Sequence, residues 1–262
     1  MNKARQIGAL RQALASLDSF GEAGRHGVFT LGAGPVDAAL GGGLARGAVH
    51  EIYPAQAFDI AAAAGFAAGL CLRAVPDAPL LWIRHRRSEI ETGALYAQGF
   101  AEMGVAVDRL VMVHVDDFAD GLRASLEGLR CAGLGGVIFE SWGNSKHLDL
   151  TASRRLSLAA QDSGATGLLL RVKAGPEPSA AATRWQVEAA PSSDLLGLPG
   201  RPALRARLLR QKSGPSGWCW NLEWNHETLG FAQTQALSGA VAAPYGDRPA
   251  GSSGGSGWAE AI

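Results

Sequence analysis

Residues 47–72, GAVHEIYPAQAFDIAAAAGFAAGLCL, read as a short apolar strand, a tight connection and an alanine-rich helix. In an α/β protein that unit normally holds a nucleotide's phosphates. The chemistry needs glycines for close backbone approach, a lysine for the β/γ-phosphates and a Ser/Thr hydroxyl for Mg²⁺. Here Pro54, Ala55, Gln56, Ala57, Phe58, Asp59, Ile60 and Ala61 fill the loop instead. Proline has no N–H to donate. Phe58 is bulky where a phosphate needs room. Asp59 is expected to cap the helix and occupy its free N–H groups, and its negative charge repels phosphate. The unit has the outline of a phosphate cradle without its working groups, so neither nucleotide cofactor nor metal is expected.

Outward from that unit, apolar strands alternate with amphipathic helices. A short helix is expected at 35–40, stopped by Gly41–Gly43, then a strand at 48–53 and the helix 59–74. Strands follow at 79–83, 110–115, 136–140 and 167–172, with helices at 88–103, 118–132 and 151–163 between them. This order predicts an α/β fold with a mostly parallel sheet and crossover helices. After residue 173 the segments 184–189, 203–212 and 217–224 alternate apolar and polar, as antiparallel strands do. KSGPSG, 212–217, reads as a hairpin turn.

Three parts are expected: a helical arm with a glycine linker over 1–27, a core over 28–228, and a low-complexity tail over 229–262. In the arm, Ile7, Leu10, Leu14 and Leu17 share one helical face. That face either docks on another molecule or folds back onto its own domain. Trp258 is isolated in the tail, a bare terminal aromatic or an anchor for a partner.

The chain has 262 residues and 24 each of Lys+Arg and Asp+Glu, so zero net charge argues against a non-specific nucleic-acid coat. Cys71, Cys131 and Cys219 are far apart and odd in number; buried free thiols in a reducing cytoplasm are the expectation. No metal-ligand spacing occurs. The apolar run Ala61–Leu72 falls short of the ~20 residues of a membrane span.

Several segments look like a known family. TLGAGPVDAALGGGLARGAVHEIY, 30–53, is similar to the stretch leading into the P-loop of RecA recombinases. YAQGFAEMGVAVDRLVMV, 96–113, and ARLLRQKSGPSGWCWNLEW, 206–224, resemble later parts of that core in the same order. The resemblance implies a RecA-like core over about 28–225, with antiparallel strands at its end. Read without a gap, Ile60 stands at the P-loop lysine and Ala61 at the hydroxyl. RHRR, 84–87, replaces the segment carrying the catalytic glutamate, with Arg86 facing that acid's place. Glu140 matches the acidic end of the Walker B strand but has no evident task. The two loops that hold single-stranded DNA in RecA fall at about 142–152 and 174–183, short and poor in basic residues. This pattern, with the arm and tail, resembles the ImuA family. It implies a non-catalytic accessory role in SOS-induced translesion synthesis. The implied partners are RecA, an ImuB-type Y-family polymerase homologue and, indirectly, an error-prone replicative-type DNA polymerase. An alternative within the same fold is a SulA-like inhibitor of cell division that binds FtsZ.

Other groups carry two readings. Arg84, Arg86 and Arg87, with His85, form either a contact for DNA phosphate or an acidic partner, or a solvated loop. Arg201, Arg205, Arg207, Arg210 and Lys212 mark a basic strand face or a charged edge strand. His50 reads as a satisfied core histidine rather than a catalyst, and Asp117 as a helix cap rather than a metal ligand together with His114 and Asp116. Trp218, Trp220 and Trp224 share one strand face, more for core packing than for base stacking.

Overall fold

The computed structural model describes residues 26–131, 133–192 and 200–234. Ile7, Leu10, Leu14, Leu17 and Trp258 therefore lie outside the described residues. Strand β1 (Val28–Phe29) pairs with β2 (Leu44–Ala45), with α1 (Gly34–Ala39) between them. Then come β3 (Val49–Pro54), a 3₁₀ turn (Ala57–Asp59), α2 (Ile60–Ala74), β4 (Leu80–His85), α3 (Arg86–Thr92) and α4 (Ala97–Glu102). Strand β5 (Leu110–Val115), α5 (Phe118–Arg130), β6 (Gly136–Trp142), α6 (Leu150–Ser163) and β7 (Thr166–Val172) complete the alternating part. The last four strands are β8 (Thr183–Ala189), β9 (Ala203–Gln211), β10 (Cys219–Asn225) and β11 (Gly230–Gln233).

One nine-stranded sheet runs β11-β10-β9-β8-β3-β7-β6-β4-β5. Pairings from β8 through β3 to β5 are parallel, and those from β8 to β11 antiparallel. Strand β7, inside the sheet, is buried along its whole length, in keeping with its apolar run over 167–170. Helix α2 covers one face with Phe66, Leu70, Trp82, Ile138, Leu170, Trp185, Trp220, Trp224 and Phe231. Helices α5 and α6 cover the other with Val49, Ile83, Phe139, Leu156 and Leu169.

The alternation is as expected, and four expectations are corrected. The helix expected at 88–103 is two, because Gly93 adopts φ 78° after the C-terminus of α3. The tail does not begin at 229: β11 pairs with β10, and Phe231 is buried and donates its N–H to the Leu31 carbonyl. Strand β9 is no charged edge, since it lies between β8 and β10. Of the three thiols only Cys71 is buried; Cys131 and Cys219 are exposed. Burial pushes the Cys71 thiol up to about 12. Residues Ala57–Ala74 also have the length and apolar character of a membrane span, but 61% of that stretch is buried in the fold, as in a core helix.

Candidate functional site: an internally filled nucleotide cradle

The loop between β3 and α2 is fastened by its own groups. Asp59, 4% exposed, accepts from the Gln56 N–H at 2.9 Å and, across the loop, from the Ala189 N–H at 2.9 Å. The Ala55 N–H donates to the Val187 carbonyl on β8. Asp59 thus ties the turn to the sheet and does not cap the free N–H groups of α2. The predicted cap is corrected in its donors: the carboxylate closes the preceding 3₁₀ turn. Phe58 does not fill the cradle either; it is 81% exposed at the tip of the loop.

At the end of β4 the basic group separates by register. Arg84 is 2% exposed and its Nε donates to Glu140 Oε1 at 3.0 Å, while Nη2 donates to Thr92 Oγ1. Trp82 Nε1 donates to Glu140 Oε2 at 3.2 Å, and the Ser88 hydroxyl donates to Oε1. Arg84 and Glu140 are paired across β4 and β6, so alternation turns both to the α2 face. Arg84 is therefore no surface contact, and Glu140, left without a task by sequence reasoning, anchors three donors. Arg86 and Arg87 stay on the surface, where Arg86 meets Asp116 and Arg87 lies 3.8 Å from Glu91.

Between α2, α4 and the start of β9 lies a cavity of about 930 Å³. Among the described residues Ile60, Ala61, Leu95, Tyr96, Phe100 and Trp224 give it an apolar wall, and Arg84 reaches its edge. Arg201 and His226 also line it, and Arg201 lies 3.9 Å from the exposed Glu227; the mostly apolar wall suits apolar side chains better than a triphosphate.

On the opposite face Glu51 accepts from Arg184 Nε at 2.7 Å and from the Tyr53 hydroxyl at 3.4 Å. The Arg171 and Arg184 guanidinium groups lie 5.9 and 5.7 Å from the Tyr53 ring centre. Burial, with Glu51 adding to it, raises the Tyr53 phenol to about 12. This cluster holds the loop that follows β7, which in turn bonds the loop that follows β6. Arg184 donates to the Glu177 carbonyl and the Ser179 hydroxyl, and Arg171 pairs with Glu177 at 3.6 Å. The Gly175 N–H donates to Asn144 Oδ1, joining one loop to the other, and the Ala180 N–H donates to Ser153 Oγ.

Elsewhere the expected roles divide. His50 is buried with Thr183 Oγ1 at 2.8 Å and the Ala45 carbonyl at 3.0 Å, a satisfied core histidine as read. Asp117 caps α5 by accepting from the Ala119 N–H. Arg205 is bound by Glu188 and Asn221, Arg210 by the Ser179 carbonyl, and Arg207 and Lys212 are exposed. These four do not converge with Arg86 and Arg87, which follow β4, near the other end of the sheet's strand order. Trp220 and Trp224 pack in the core, whereas Trp218 is half exposed and stacks on Trp220. Among the described residues no group of three metal-binding side chains occurs.

The sheet order and covering helices define a RecA-like protein. The crystal structure of the RadB recombinase superposes with a TM-score of 0.53 at 15% identity, covering 79% of this chain and all (100%) of that one. No family model matches the sequence. Protein ImuA of Caulobacter vibrioides (strain NA1000 / CB15N) is 32% identical over 219 residues, 76% of this chain and 81% of that protein. The same figures hold for Protein ImuA of strain ATCC 19089 / CIP 103742 / CB 15. The chain belongs to the ImuA family.

Proposed function

We propose that this protein is a non-catalytic adaptor of SOS-induced translesion DNA synthesis, working in the cytoplasm through contacts with RecA and an ImuB-type polymerase homologue. The observation that carries this reading is the internal filling of the cradle. Asp59 uses both carboxylate oxygens on backbone N–H groups, and the Arg84–Glu140 pair stands at the end of the strand where a metal–phosphate would need a free carboxylate. Without a lysine and a hydroxyl at positions 60 and 61, little is left to hold a triphosphate. The tethered loops after β6 and β7 give further support, because backbone already bonded to the core is not free to wrap a DNA strand. The exposed Phe58, Ile90 and Tyr96 supply apolar contact surface of the kind partner proteins cover.

Titration calorimetry with ATP–Mg²⁺ is expected to give no binding heat at submillimolar concentrations. Co-purification with RecA and with the ImuB-type protein is expected, and the RecA contact should weaken when residues 1–20 are removed. Saturable ATP hydrolysis altered by Asp59 or Ile60 substitutions would overturn the adaptor reading. Filamentation of undamaged cells on overexpression would point to the division-inhibitor alternative.

A further inference from the structure

Helix α6 keeps Ser153, Leu156, Ala159 and Ala160 inside. Its outer stripe of Leu150, Arg154, Ser157, Leu158 and Gln161 forms one wall of a groove of about 350 Å³. The β1–β2 hairpin forms the other wall with Val28, Leu40, Leu44 and Ala45, and His50 and Thr183 lie at its floor. Leu150, Leu158 and Val28 are 54%, 52% and 49% exposed there. The described chain begins at one end of this groove: His26 Nε2 lies 2.6 Å from the Gln161 carbonyl, and its ring sits against Gly47 and Gly164.

We infer that the N-terminal arm of the same chain occupies this groove, with the face of Ile7, Leu10, Leu14 and Leu17 laid along α6. This stands on the groove and the arm's sequence, whoever the partners are. Ile7 to Leu17 spans about 15 Å as a helix, and Leu150 to Gln161 about 16 Å. Residues 18–25 reach at most ~29 Å, enough to return from His26 and bring Leu17 beside Leu158. A tether this short gives an effective concentration on the order of millimolar, so the chain's own arm outcompetes a second copy. An isolated amphipathic helix of this length is marginal in water and is stabilised by burying its apolar face. The apolar ridge is thereby covered in the resting protein, and any partner that uses it must first displace it from α6.

The test is a full-length variant with Cys131→Ser and Cys219→Ser, plus Leu17→Cys and Leu158→Cys. Mild oxidation at micromolar protein should give a disulfide within one chain, read by non-reducing electrophoresis and mass. It should form at least about tenfold faster than in a control carrying Leu17→Cys with Ile90→Cys. Ile90 is a fair control because α3 packs through Ser88 on the opposite sheet face. Hydrogen exchange adds a second readout: removing residues 2–20 should speed exchange in α6 and at 40–48 and leave β4 and β6 unchanged. Crosslinking chiefly between chains, equal rates for the two pairs, or exchange unaffected by the deletion would each overturn the inference.

Discussion

A guanidinium as buried as Arg84 survives in a core only with its donors satisfied, and Glu140 and Thr92 satisfy them. Removing one member strands the other. Arg84→Met is expected to cost about 3–5 kcal/mol in urea unfolding. The double variant Arg84→Met/Glu140→Gln should cost less than the two singles together, with a coupling of about 1–3 kcal/mol. Additive losses would mean that the pair is not the unit described. His50 gives a second residue-scale expectation. Burial lowers its imidazole from 6.5 to about 4, with the Ala45 carbonyl opposing and Lys212 adding to the shift. The folded state thus favours the neutral ring, and the unfolded chain takes up a proton first as pH falls. Stability from this group is complete above about pH 6.5 and is lost between 6.5 and 4, by about 3 kcal/mol in all. Unfolding midpoints at pH 7 and pH 4.5, compared between the parent and His50→Gln, isolate it: the variant should show the smaller drop.

At the scale of elements, close packing rests on a few glycines. A Cβ at Gly121 of α5 would fall 2.3 Å from Phe139 Cζ, and one at Gly69 of α2 would fall 2.7 Å from Phe231 Cζ. Gly121→Ala is expected to destabilise by about 1–3 kcal/mol, because the Phe139 ring lies between α5 and β6 with nowhere to turn. A thermal scan showing no loss would mean the helix can lift freely. Periodicity made the strands and most helices legible, and the RecA-like order with them. Three things were hidden. The break at Gly93 was obscured by apolar residues that keep a helical spacing across it, although Thr92-Gly93 is a readable stop signal. Strand β11 is four residues, too short for alternation to stand out. The Arg84–Glu140 pair joins residues 56 apart, and only the register of β4 against β6 brings them together. Asp59 was found as a capping residue, yet its second partner, the Ala189 N–H, belongs to a strand no local pattern could bring near.

For the molecule as a whole, the sheet's antiparallel end is part of the core rather than an appendage. Trp220, Trp224 and Phe231 line the same cluster as Phe66 and Leu70 of α2. A chain ending at 228 should therefore lose about 3–5 kcal/mol or fail to fold, in line with deleting a buried phenylalanine, whereas one ending at 234 should keep its cooperative transition. Equal melting of the two truncations would return the boundary to residue 228.

Phe231 meeting Leu31 and Gly69 also orders events in time. Synthesis runs from the amino terminus, so α2 emerges long before the aromatic that must close over it. Until β11 leaves the ribosome, one side of that helix stays wet, and the nascent chain presents an unfinished hydrophobic seam to chaperones. Closure of this part of the core is thus a late step, and stalling synthesis before residue 231 has emerged should leave a protease-sensitive intermediate.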